Sequence, residues 1–143
     1  MTSTPPAPSQ PTPGRPLRIL YADDMKELRE LITIVLGRDG HTVEAFPNGT
    51  LALEKLNSAA PDHYDLIITD HHMPEMNGLE LVRHLRERTY PGKVMVFSSE
   101  ISPLVQEKYR QLAVDRILPK PIFPAQLRTS LRDLFAAPAT PSA

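Results

Sequence analysis

Short apolar runs alternate along the chain with segments in which apolar residues recur at intervals of three and four. The runs are rich in Ile, Leu and Val and end in polar or turn residues, a pattern typical of buried β-strands. The recurring apolar positions predict amphipathic helices. Five strands are predicted, each followed by a helix, at Leu17–Ala22, His41–Phe46, Asp65–Asp70, Lys93–Ser98 and Arg116–Pro119.

The helices are indicated by their apolar stripes and by residues suited to helix ends. Gly40 is predicted to stop the first helix, and Asn77 with Glu80 forms a capping-box pair that starts the third. Ser102-Pro103 suits the start of the fourth, which is predicted to run to Leu112. The predicted inward positions are Leu28, Leu31, Ile32, Val35 and Leu36, then Ala52, Leu53 and Leu56 within Asn48–Asn57, then Leu79, Val82 and Leu85, and finally Leu127, Leu131, Leu134 and Phe135.

Five strand–helix units in succession predict an α/β fold. Such units form a doubly wound parallel sheet with right-handed crossovers and helices on both faces. In the flavodoxin-like strand order 2-1-3-4-5, the first, third, fourth and fifth strands are successive neighbours, about 4.8 Å apart. The carboxyl ends of these four strands would then share one edge of the sheet.

The composition fits one soluble domain. The chain has 143 residues, of which 41% are hydrophobic and 23% charged, as in ordinary globular proteins. No run approaches the roughly 20 apolar residues of a membrane span and no signal peptide is evident, so we expect a cytoplasmic protein without membrane contact. A formal net charge of −1 gives no basic footprint for nucleic acid, and the lack of cysteine excludes disulfides and thiolate metal sites.

Proline is concentrated at the start of the chain, where the first 16 residues hold six of the 16 prolines. Because this segment has almost no charged or core-forming side chains, residues 1–16 are predicted to be a disordered, partly polyproline II tail. A docking peptide is the alternative to an inert tail. The folded domain is predicted over residues 17–136, with a second disordered tail over 137–143.

Polar residues stand at the ends of four of the predicted strands: Asp23-Asp24, Asp70, Ser98-Ser99 and Lys120. Sites in open parallel sheets form at these ends, beside the point where the strand order reverses. Carboxylates this close need a shared cation or proton, and oxygen ligands with water access suit Mg²⁺. A carboxylate there can attack phosphorus, with the hydroxyl and the lysine stabilising phosphoryl oxygens. The spacing leaves open which aspartate does so.

Other interpretations of the polar residues carry less weight. Paired aspartates often only cap a helix, but their joint occurrence with a third aspartate, a serine and a lysine favours a site. His71 and His72 lack a third ligand at helical spacing, which disfavours zinc. His84 lies in a predicted helix of an α/β unit, where a solvated face is expected.

Four segments of the chain together resemble the receiver domain of two-component response regulators. They are "ILYADDMKELRELI", "DLIITDHHMPEMNGLEL", "VMVFSS" and "LPKPI", in the order and spacing of that family. The resemblance covers about 120 residues, 17–136, and leaves only the two predicted tails. It implies the flavodoxin-like receiver fold.

The resemblance implies a role for each matching residue. Asp70 would be the phospho-acceptor, taking a phosphoryl group from a phosphohistidine of a sensor histidine kinase or histidine phosphotransfer protein. Asp23, Asp24 and Asp70 would hold Mg²⁺, with Mn²⁺ as a substitute, together with the backbone carbonyl of His72. No organic cofactor is implied.

The remaining site residues concern phosphoryl binding and its lifetime. Ser98 would be the switch hydroxyl, and Lys120 would pair first with Asp70 and then with its phosphate, next to a cis Lys120-Pro121 bond. His72, Ser99 and Glu100 would flank the path of the attacking water and tune how long the phosphate persists.

The last strand departs from the family pattern. Ile117 stands where many receivers place an aromatic residue that changes rotamer on activation, which puts the usual output coupling in doubt. Pro119 removes a backbone donor, which predicts an edge position or a stiffened loop. By resemblance, the output surface is the face of helix 4, strand 5 and helix 5, around Gln106, Tyr109, Arg110 and Ile117.

The expected function is a stand-alone receiver that signals to a downstream protein effector or by onward phosphorelay. About eight residues follow the fifth helix, too few for an effector module. We expect a switch that assists its own phosphotransfer and dephosphorylation, not an enzyme, with a weak homodimer through the output surface. A phosphatase with an aspartyl nucleophile would usually carry an acid at His72, and a phosphorylation-independent scaffold of this fold would be expected to have lost Asp24, Asp70 or Lys120.

Overall fold

The structure, a computed structural model, describes residues 15–99 and 101–136. These residues form a five-stranded parallel sheet with strand order β2-β1-β3-β4-β5 and helices on both faces. The predicted fold class and strand order are confirmed. The elements are β1 (Arg18–Ala22), α1 (Lys26–Arg38), β2 (Thr42–Phe46), α2 (Gly49–Ser58), β3 (Leu66–Asp70), α3 (Gly78–Glu87), β4 (Lys93–Ser98), α4 (Pro103–Gln111), β5 (Arg116–Pro119) and α5 (Pro124–Phe135).

The strand register brings four carboxyl ends to one edge of the sheet. Asp70 on β3 is level with Phe97 on β4, and Ser98 is level with Pro119 on β5. Strand β1 ends level with the residue before Asp70, so the loop that follows β1 begins beside the end of β3. Strand β5 is an edge strand, as Pro119 predicts.

Two apolar layers cover the sheet, because successive strand residues point to opposite faces. Strand β3 is buried along its whole length, as expected for the centre of a parallel sheet. Leu20, Ile67, Val94 and Val96 face α2, α3 and α4, and Ile19, Ile68, Met95 and Phe97 face α1 and α5.

The predicted helix ends are confirmed at three places. The Asn77 carboxamide accepts a hydrogen bond from the Glu80 amide, and the Glu80 carboxylate accepts one from the Asn77 amide, both at 2.9 Å. The Ser102 hydroxyl accepts from the Val105 amide at 3.2 Å. Gly40, just after α1, has φ +96°, a conformation in which glycine avoids the Cβ strain of other residues.

Some boundaries and one core position differ from the predictions. Strands β1, β2 and β3 each begin one residue later than predicted, and α4 ends one residue earlier. At β3 the reason is visible: the Asp65 carboxylate accepts from the Arg18 amide at 2.8 Å and from Arg15 at 3.0 Å, so Asp65 anchors the strand start. Leu31 is 40% exposed, because the buried side of α1 is narrower than its apolar stripe.

The predicted tails can be compared with the structure only in part. Residues 1–14 and 137–143 lie outside the described residues, and so do the predictions of disorder made for them.

Within residues 15–99 and 101–136, no helix has the length and apolar character needed to span a bilayer.

Candidate functional site

Three aspartates converge where the ends of β1 and β3 meet. Asp23 and Asp24 follow β1 and Asp70 ends β3, and one carboxylate oxygen from each lies within 4.8 Å of the others. Asp23 and Asp70 are buried, whereas Asp24 is exposed to solvent. An all-oxygen donor set with access to water is what Mg²⁺ prefers, so these residues fit a magnesium ion.

Lys120 joins the aspartate cluster from the end of β5. Its ammonium nitrogen lies 3.2 Å from Oδ1 of Asp70 and 3.4 Å from Oδ2 of Asp23, and its side chain is 10% exposed. The same nitrogen is 3.4 Å from the sulfur of Met25. The following Lys120-Pro121 bond is cis, as the resemblance implies. One cation thus faces two buried carboxylates, and the site keeps an excess of negative charge.

Asp70 occupies an unfavourable electrostatic position. Burial is the largest cause that raises its pKa, the charge on Asp23 raises it further, and Lys120 opposes both, which leaves the pKa at about 6. Apart from the ion pair with Lys120, its Oδ1 has no hydrogen-bond partner among the described residues. A buried carboxylate oxygen with unused acceptor capacity is suited to a metal or to phosphorus.

Asp23 is held in place by contacts that the sequence predictions missed. The buried Tyr21 hydroxyl donates to Oδ2 of Asp23 at 2.8 Å, and the Met25 amide donates to Oδ1 at 2.9 Å. Burial, followed by the charge on Asp23, raises the pKa of Tyr21, so the phenol keeps its proton. The signal was available, because Tyr21 and Asp23 are two residues apart in an extended segment and face the same way.

The remaining predicted residues surround the cluster. Ser98 is buried at the end of β4, where its carbonyl accepts from the Lys120 amide at 2.7 Å. Ser99 and His72 are exposed in the loops that follow β4 and β3. Glu100 lies outside the described residues. The switch, metal-binding and tuning roles of these residues stay predictions.

Three of the four residues predicted for the output surface are accessible to solvent. Gln106 and Arg110 are exposed and Ile117 is partly exposed, and all three line a shallow groove between α4 and β5. Tyr109 was wrongly placed there. Its side chain is buried, because it points into the core and its hydroxyl reaches Nδ1 of His71.

The inward orientation of Tyr109 had a signal in the sequence. Val105, Tyr109 and Leu112 follow one another at helical spacings of four and three residues, which predicts one apolar stripe on α4. Val105 and Leu112 pack against the same core layer that contains Tyr109. The bond to His71 had no such signal, because it depends on how α4 packs against the end of β3.

Comparison with known proteins agrees with this fold. Residues 19–132 match the model of the response regulator receiver domain. The chain therefore belongs to the response regulator receiver domain family.

Two curated relatives match most of this chain. The chain is 35% identical over 136 residues to the sensory/regulatory protein RpfC of Xanthomonas campestris, covering 88% of this chain and 18% of RpfC. It is 31% identical to the transcriptional regulatory protein CpxR homolog of Haemophilus influenzae over 125 residues, 87% of this chain and 53% of the homolog. The chain thus spans about a fifth to a half of these two relatives' lengths.

A solved structure of a receiver-type protein superimposes closely. The chemotaxis protein CheY4 of Vibrio cholerae aligns with a TM-score of 0.76 and 27% sequence identity, covering 84% of this chain and 99% of CheY4. The five parallel strands and five helices described above are thus shared with CheY-like receivers.

Proposed function

We propose that this receiver domain accepts a phosphoryl group on Asp70 in a Mg²⁺-dependent reaction and passes the signal on by protein contacts or further phosphotransfer. The observation that carries the proposal is the convergence of three carboxylates and one ammonium at the end of β3. Beyond its ion pair with Lys120, Oδ1 of Asp70 has no hydrogen-bond partner in the part of the chain that the structure describes. Such a cluster is costly to maintain unless a ligand relieves its charge.

The aspartates and the lysine of the site have distinct roles in the proposed reaction. An Asp70 oxygen forms a bond to phosphorus as the P–N bond to the donor imidazole breaks, and the imidazole leaves with a proton from solvent. Asp23, Asp24 and Asp70 would hold Mg²⁺, which neutralises phosphoryl oxygens when it is bound. Lys120 is already 3.2 Å from Asp70 and would contact the phosphoryl group once it is attached.

The partners belong to the proposal as well. A phosphohistidine on a sensor histidine kinase or a phosphotransfer protein is the proposed donor, in the cytoplasm, and a protein effector the proposed target. Relatives named as a sensory/regulatory protein and a transcriptional regulatory protein support a place in such signalling. The exposed groove residues Gln106 and Arg110 are the proposed contact points. The chain would act as a switch that assists its own phosphotransfer and dephosphorylation, and not on a separate substrate.

Intact-mass measurement after incubation with acetyl phosphate tests the phosphoacceptor role. We expect a gain of one phosphoryl group that requires Mg²⁺ and is lost in Asp70→Asn. Asp62→Asn is the matched control, because Asp62 is an exposed aspartate that precedes β3 at the opposite edge of the sheet.

Two results would count against the proposal. A mass gain that persists in Asp70→Asn would place the phosphoryl group elsewhere. The absence of both an adduct and beryllofluoride binding in the wild type would indicate a phosphorylation-independent scaffold.

A further inference from the structure

Helix α4 reaches the turn that follows Asp70 through one buried side chain. The Tyr109 hydroxyl lies 2.5 Å from Nδ1 of His71, the residue after Asp70, and the two rings meet edge to face with centroids 5.4 Å apart. Both side chains are buried. Burial raises the pKa of Tyr109, so the phenol keeps its proton in this bond.

The start of α3 is packed into the same contact. A Cβ placed on Gly78 would lie 2.5 Å from the Asp70 carbonyl oxygen and 2.8 Å from the Tyr109 hydroxyl. The Gly78 amide donates to the His71 carbonyl at 3.0 Å. The phenol therefore lies against Gly78 at the start of α3, where a side chain would meet both the phenol and the Asp70 carbonyl.

A second attachment holds the C-terminal end of α4. Arg86 on α3 donates from Nε to the Leu112 carbonyl at 2.7 Å and from Nη2 to the Ala113 carbonyl at 3.0 Å. The other end of α4 is more open, since Leu104 in its first turn is 65% exposed. Helix α4 is thus attached to α3 near its C-terminal end and contacts the turn after β3 through Tyr109.

We propose that Tyr109 is a positioning residue of the Asp70 site: through its bond to His71 it couples helix α4 to the state of the phosphoacceptor strand. The inference rests on the proposed function of Asp70. A phosphoryl group on Asp70 adds charge and bulk beside His71. Because breaking a buried hydrogen bond leaves both partners unsatisfied, α4 moves with His71 and reorients the groove residues Gln106 and Arg110.

Hydrogen exchange of the α4 amides in the full chain tests this coupling. We compare free protein with protein saturated with beryllofluoride and Mg²⁺, a stand-in for the phosphorylated state. In the wild type, exchange over α4 is expected to change by about two- to thirtyfold on loading. Tyr109→Phe removes the hydroxyl and keeps the ring, and is expected to lose most of that change while still binding beryllofluoride.

The chain offers a matched control and a rescue. Tyr90 is also buried, in the same apolar layer, and its hydroxyl donates to the Tyr64 carbonyl at 2.9 Å, so Tyr90→Phe removes a comparable bond elsewhere. Tyr90→Phe is expected to respond like the wild type. His71→Leu should lose the α4 response, and His71→Asn, whose amide can occupy the place of Nδ1, should restore part of it.

Beryllofluoride binding, followed by its bound fluorine NMR signal, separates the two proposals. If the wild type does not bind, the proposed function fails and the coupling fails with it. If all variants bind, the phosphoacceptor function stands and the α4 exchange decides the coupling. The coupling is overturned if the exchange of the α4 amides changes equally in Tyr109→Phe and the wild type, or if it changes in neither.

Discussion

At the scale of single residues, the site depends on the charge of Asp70. The residue is 2% exposed, and its carboxylate lies beside Asp23 and is only partly compensated by Lys120 at 3.2 Å. The resulting pKa of about 6 means that the ionised form at neutral pH is held against a free-energy cost. A cation, or a phosphoryl group with its metal, relieves that cost. The same excess of negative charge therefore favours both metal binding and phosphorylation at Asp70.

The stability of Asp70→Asn tests this imbalance. The folded protein holds the Asp70 proton more tightly than the unfolded chain, whose carboxyl has the ordinary pKa of 3.8, so the wild type loses stability as pH rises from about 4 to above 6. In EDTA at pH 7.5 we expect Asp70→Asn to be more stable by about 1–2 kcal/mol, after allowance for solvent screening.

Urea unfolding at pH 7.5 and pH 4.5 measures the effect. The advantage of Asp70→Asn should shrink at the lower pH and on addition of Mg²⁺ at the higher one. A variant less stable than the wild type at pH 7.5 in EDTA would contradict this account of Asp70.

Tyr21 provides a second test at the scale of the residue. Its hydroxyl orients the Asp23 carboxylate at 2.8 Å. Removing such an outer partner of a metal ligand typically weakens metal binding about 10- to 100-fold, and we expect Tyr21→Phe to weaken Mg²⁺ binding near the lower end of that range. Calorimetric titration with Mg²⁺ measures the change, with Tyr90→Phe as the buried-hydroxyl control; equal affinities in all three proteins would exclude a role for Tyr21.

At the scale of elements, the packing of α3 against β3 and α4 depends on one glycine. Gly78→Ala places a methyl group 2.5 Å from the Asp70 carbonyl oxygen, and overpacking of this kind costs about 1–3 kcal/mol. Gly37→Ala is the matched control, because a Cβ there meets nothing within 4 Å inside helix α1 and should stabilise the protein by about 0.5–1 kcal/mol. Denaturation midpoints that fail to move in opposite directions would contradict the packing described for Gly78.

The elements were predictable where local signals agree. The Asn77 and Ser102 caps and all five strands follow from short segments of sequence and are confirmed, with strand starts displaced by one residue at most. The orientation of α4 was not predicted, and Tyr109 was assigned to the surface. Its apolar stripe was visible, but which side of α4 meets the core is set by α3 and β3.

At the scale of the whole molecule, the amino ends and the carboxyl ends of the strands differ in the side-chain contacts found there. At the amino ends, side chains accept hydrogen bonds from backbone amides near the starts of strands, at 2.8 to 2.9 Å. The acceptors are Asp65 for the Arg18 amide, His41 for the Leu17 amide and Asp115 for the Val94 amide. At the carboxyl edge, Asp23, Asp24 and Asp70 oppose one another. The contacts that hold the strands and the residues of the candidate site therefore lie at opposite ends of the sheet.

The location of the aspartate cluster could be predicted from sequence because parallel strands align their carboxyl ends. The residues that end β1, β3, β4 and β5 were therefore expected to meet, and the aspartates and Lys120 do. The hydrogen bonds from Tyr21 to Asp23 and from Tyr109 to His71 were not predicted. The first had a signal in the spacing of Tyr21 and Asp23, whereas the second depends on how α4 packs against the end of β3.

Locating the phosphoryl group on the chain tests the central claim most directly. The protein is incubated with acetyl phosphate and Mg²⁺, and the acyl phosphate is reduced with borohydride. The peptides that contain β1, β3 and the loops that follow them are then sequenced by mass spectrometry. The account predicts modification at Asp70 and none when Mg²⁺ is withheld. Modification at Asp23 or Asp24, or a borohydride-resistant phosphate on His71 or His72, would contradict it.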